Sequence, residues 1–168
     1  MKIALLACFA LASLTIHAQD TTQGPRRQES TDQHAAGVDM RGDHAMGFSH
    51  ENTKHHFKLL SDGGIIAVDA NSGTDAATRD QIREHLKHIA RMFNANDFEI
   101  PMFIHDTIPP GVPVMKKKQG EITYTYMPTK RGAKVRIVTH DSEALKAVHE
   151  FLAFQIEDHR TGDSTNGK

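Results

Sequence analysis

His55-His56-Phe57-Lys58-Leu59-Leu60-Ser61-Asp62-Gly63-Gly64-Ile65-Ile66-Ala67-Val68-Asp69-Ala70 is the stretch that decides the fold. Two runs of strand-forming residues flank Ser61-Asp62-Gly63-Gly64, a turn with glycine where a positive φ is needed, so the stretch reads as an antiparallel hairpin. A helix follows. Asp75 or Thr78 can cap it, and Thr78-x-x-Gln81 fits a capping box. Ile82, Leu86, Ile89 and Phe93 recur at helical spacing as its buried stripe, with Arg83, Lys87 and Arg91 on the wet side.

The same order returns further along. Phe98 to Gly111 is broken by Pro101, Pro109, Pro110 and Gly111 and reads as irregular, and Val112 to Lys118 has room for one helical turn. Ile122, Tyr124 and Tyr126 then alternate with polar residues. Met127-Pro128-Thr129-Lys130-Arg131-Gly132 turns the chain into Val135, Ile137 and Thr139. Asp141 can cap a second helix with Leu145, Val148, Leu152 and Ile156 as its stripe, and Phe151 and Phe154 widen its apolar arc toward a partner or further core. Asp75 and Asp141, Glu84 and Glu150, Leu86 and Leu152, and Ala90 and Ile156 all share one spacing. The fold expected is therefore α+β: a two-layer sandwich of a four-stranded antiparallel sheet and two helices, from a duplicated ββα unit.

Outside this unit the chain has a different character. Met1-Lys2, the apolar run Ile3 to Ile16 and the small-residue end at Ala18 read as a signal peptide over residues 1–18, too short to span a membrane. A periplasmic or secreted location is expected, with no stable membrane insertion after cleavage. Cys8, the chain's only cysteine, leaves with that segment, so the mature domain must fold without a disulfide. Residues 19–45 are polar and poor in large apolar side chains, and read as a disordered tether. Arg41-Gly42-Asp43 within it reads as a chance tripeptide. The domain is expected over residues 46–160 and a flexible tail over 161–168.

Lys and Arg total 20 against 21 Asp and Glu, a balance that argues against nucleic acid as a partner. The anomaly is 12 histidines in 168 residues. His55-His56-Phe57, Asp62-Gly63-Gly64, Ile82-Arg83-x-His85-Leu86-x-His88-Ile89-Ala90, Ile104-His105, Pro109-Pro110-Gly111-Val112 and His159-Arg160-Thr161-Gly162-Asp163 resemble a group of small exported bacterial proteins of unassigned function. Some members of that group carry the label aspartate carbamoyltransferase. The label does not suit this chain, since such an enzyme needs two α/β domains and a Ser-Thr-Arg-Thr phosphate loop at a helix start.

Imidazole suits copper and zinc, and thioether selects Cu(I). One candidate group precedes and enters the first strand: Met40, His44, Met46, His50, His55 and His56. A second lies along one flank of the first helix as His85, His88 and Met92, with His105 able to fold back toward it. The metal ligands expected are His55, His56, His85, His88, Met92 and His105, serving copper or zinc handling, with no organic cofactor. The competing reading makes His85 a half-buried structural histidine and Met92 core filler. Glu84, His85, His105 and Asp106 are acid/base candidates, yet no nucleophile motif accompanies them. The alternative to metal handling is a non-catalytic module that binds a protein partner or forms a homodimer.

Overall fold

The computed structural model describes residues 25–167. The hairpin forms as expected, from β1 (Thr53–Leu60) and β2 (Gly63–Ala70), with Leu60 opposite Gly63 across the Ser61-Asp62 turn. Gly63 takes φ +138, and a Cβ there would lie 2.1 Å from the Ile137 carbonyl oxygen, so only glycine fits. The helix α2 (Ala76–Asn94) follows, and Asp75 caps it by accepting from the Thr78 N–H at 3.0 Å. Its stripe Ile82, Leu86, Ile89 and Phe93 is buried throughout.

The second hairpin pairs β3 (Ile122–Pro128) with β4 (Gly132–Thr139), and α5 (Ser142–Asp158) follows it. Asp141 caps α5 through the Ala144 N–H at 2.8 Å. The hairpins join through β2 and β4, with Ile66 opposite Val135, giving one four-stranded antiparallel sheet in the order β1-β2-β4-β3. Phe57, Leu59, Ile66, Val68, Tyr124, Val135 and Ile137 alternate onto one buried face. There α2 packs on β3 and β4, and α5 packs on β1 and β2.

Three expectations need correction. The segment read as a tether is a helix, α1 (Pro25–Met46), over most of its length; residues 19–24 lie outside the described ones. It lacks a strong apolar stripe because it buries small residues, Ala35 and Gly42, beside Val38. Polar clamps hold it: His34 to Asp158 at 2.8 Å, Arg160 to Asp39 at 2.9 Å and Arg41 to the Ile104 carbonyl at 2.7 Å. The stretch after α2 also contains α3 (Glu99–His105), with Pro101 in its first turn, where a missing N–H is tolerated; α4 (Val112–Lys117) is the short helix expected. The tail is tied down at Asp163, which accepts from the Phe57 N–H at 2.9 Å.

The wider apolar arc of α5 also has an explanation. Phe151 is 1% exposed and meets Phe93 and Phe98, so α3 and its approach cover that side of the helix. Leu145 is only half-buried, at the rim of its stripe. Among the described residues, no helix is long and apolar enough to cross a membrane.

Candidate functional site

Strand alternation splits the histidine pair on β1. His55 shares the inward side with Phe57 and Leu59, while His56 faces out and pairs with Asp163 at 3.1 Å. The pair on α2 lies along one flank of the helix, but at different distances from its buried stripe. His85 borders the buried stripe and His88 is exposed. One histidine of each pair thus reaches the interior. Met46, at the end of α1, joins them there, and Met92 is half-buried against the core.

His105, at the end of α3, is 1% exposed. Its Nδ1 bonds the Asp158 carboxylate, and its Nε2 lies 3.0 Å from the Gln155 amide oxygen. With both ring nitrogens engaged, His105 is a structural pillar rather than a free ligand. His159, just after α5, lies edge-on to His105 at 4.9 Å and stacks on His55 at 5.6 Å with planes only 3° apart. A relay of contacts therefore runs from Asp158 through His105 and His159 to His55. Of these, His159 was not among the expected ligands. Its sequence signal is weak: it stands three residues past Ile156, continuing the stripe of α5 beyond the helix end.

His55, His85 and His159 line a chamber of about 60 Å³ among Phe57, Ile66 and Leu86. Met46, His55 and His159 also floor an open cleft of about 590 Å³, walled by Asp39 of α1, Lys54 of β1 and Arg160. Burial, the largest effect, lowers His55 from 6.5 to about 4, helped by His50 and His56 and opposed by Asp43. Burial likewise lowers His85 to about 4, with His55 and His88 adding to it. His159 falls to about 3 through burial, with His55 and His105 adding. The three rings are therefore neutral at pH 7, each with a nitrogen lone pair. Among the described residues, none of them has a protein hydrogen-bond partner, unlike His56, His105 and His149.

The two groups expected from the sequence are regrouped: His55 and His85 line one chamber, while His56 and His88 turn outward. Among the described residues, no three of His, Cys, Asp and Glu come close enough to hold a metal ion. Parallel stacking also prevents His55 and His159 from aiming both lone pairs at one atom. A closed four-ligand zinc site does not fit this arrangement. His55, His85 and the Met46 thioether line the same chamber, and imidazole with thioether is the kind of donor set that Cu(I) accepts. The acid/base candidates do not assemble either, since Glu84 and Asp106 are exposed and His105 is committed to Asp158 and Gln155. The Arg41-Gly42-Asp43 tripeptide is occupied internally: Arg41 bonds Ile104 and Asp43 bonds His50 at 2.7 Å.

No protein-family model matches the chain, and neither does any curated protein or solved structure.

Proposed function

We propose that this is an exported copper-binding protein that holds one Cu(I) ion in the chamber, between His55, His85 and Met46. The observation that carries this reading is a pair of neutral imidazoles, without side-chain hydrogen-bond partners among the described residues, lining the same chamber as a thioether. In this reading His159 is a positioning residue: it stacks on His55 and fixes the ring. Export follows from the leader read in residues 1–18, and kinship with small exported bacterial proteins belongs to the same proposal. So does the duplicated two-layer ββα architecture, which the matching caps of Asp75 and Asp141 support. Cu(I) titration against a competing Cu(I) chelator, with His55→Ala, His85→Ala and Met46→Ala, tests the site. Single stoichiometry lost in these variants supports it.

A second reading, an interaction module or homodimer, draws on the outer face of the sheet. Lys58, Thr123 and Thr125 are exposed there, beside half-buried Lys134 and Arg136. Sedimentation across a concentration series decides it. A monomer at all concentrations removes self-association.

A further inference from the structure

The chamber beneath the histidines has a feature that copper does not use. Gln155 is 4% exposed and lines the chamber, and its Nε2 is buried without a partner. Its other amide atom is taken by His105 at 3.0 Å. Whichever way the amide is turned, one polar atom is left over, and a buried unpaired polar group is destabilising until a partner reaches it. Most of the remaining wall is apolar, including Ile66, Val68, Leu86 and Phe93.

A volume of about 60 Å³ exceeds one water, which needs roughly 10–15 Å³ on this measure. A water needs two to four polar partners; the ring nitrogens supply them at the rim, but the wall of Ile66, Val68, Leu86 and Phe93 supplies none. A molecule with one polar head and a short apolar body satisfies both halves of the wall. A charged head is excluded, because among the described residues no Asp, Glu, Lys or Arg lines the chamber and the Asp158 carboxylate is occupied by His105 and His34.

We propose that the chamber is a binding site for a small uncharged amphiphile, of the short-chain alcohol or primary amide class, with its head on Gln155 and its body against Ile66, Val68 and Leu86. The open cleft at Met46, His55 and His159 is its entrance. The proposal stands apart from copper, so its test uses chelator-treated, metal-free full-length protein.

Methyl-detected NMR titration with butyramide, 1-butanol and butyrate is the measurement. Butyramide and 1-butanol are expected to shift the Ile66, Val68 and Leu86 methyls saturably. Butyrate, charged at pH 7, is expected to bind about tenfold more weakly or less. Gln155→Leu removes the head's partner and is expected to weaken butyramide about tenfold. Ile66→Phe fills the chamber and is expected to abolish binding of both neutral probes. Because either variant can disturb folding, a crystal of the unaltered protein soaked in butyramide gives a second reading: density for the amide against Gln155. Non-saturable shifts, equal binding of butyrate, or density for water alone at Gln155 overturns the proposal.

Discussion

Replacing one buried histidine with a side chain that cannot titrate should flatten the acid limb of the stability curve. His55, His85 and His159 have folded pKa values of about 4, 4 and 3, against 6.5 for a free histidine. Above pH 6.5 the rings are neutral in both folded and unfolded chains, and they add no pH dependence. As pH falls below 6.5, the unfolded chain gains protons that the folded chain refuses until about pH 4, so stability drops across that window. Each such histidine gives a slope of about 1.4 kcal/mol per pH unit. Across the window the full loss is on the order of 3 kcal/mol per ring, and less because each ring keeps some contact with solvent. The three are coupled, so their losses do not simply add. A combined loss on the order of 5 kcal/mol rivals the whole stability of a small domain. Asp158 and Asp163 are also lowered; burial opposes this, and hydrogen bonds from His105 and His34, and from the Phe57 N–H and Thr161, overcome it. Their stabilisation persists above the free carboxylate value and is lost only at lower pH, outside the histidine window. Urea melts of metal-free protein at half-unit steps from pH 7.5 to 4.5 read the slope directly. His85→Gln should reduce it by about 1.4 kcal/mol per pH unit near pH 5. An unchanged slope in that variant, or a flat curve in the parent, refutes the buried-neutral assignment.

Other substitutions probe the frame around the site. Leu86 and Leu152 are 1% and 0% exposed, and Leu→Ala at either should cost about 2–5 kcal/mol in denaturant melts. Gly111 has φ +81, and a Cβ there would lie 2.0 Å from the Ala147 carbonyl oxygen, so Gly111→Ala should cost about 3 kcal/mol or more by the same assay. The side chain of Asn94 caps the outer edge of β3, donating to the Tyr124 carbonyl at 2.7 Å and accepting from its N–H at 3.3 Å. Asn94→Ala should cost about 1–3 kcal/mol and raise self-association in sedimentation, because it leaves an open strand edge.

Much of the frame was legible because it rests on short-range periodicity. The hairpins, the α2 stripe and the Asp75 and Asp141 caps each announce themselves within a few residues. α1 was not legible because its burial rests on Ala35, Val38 and Gly42 and its anchoring on long-range clamps such as His34 to Asp158. The site was half legible. His55 and His85 were among the candidates, but local spacing cannot tell that His56 turns outward to Asp163 or that His105 is spent on Asp158 and Gln155. His159 was missed because its role is a stacking contact with His55, across more than half the chain.

The proposed copper site is tested most directly by Cu(I) binding under chelator competition in five proteins: the parent, His55→Ala, His85→Ala, His56→Ala and His88→Ala. The parent should hold one ion. His55→Ala and His85→Ala should each lose at least tenfold in affinity. His56→Ala and His88→Ala, which alter the outward members of the same two pairs, should match the parent. Variable stoichiometry, or equal retention of copper in all five, contradicts the site.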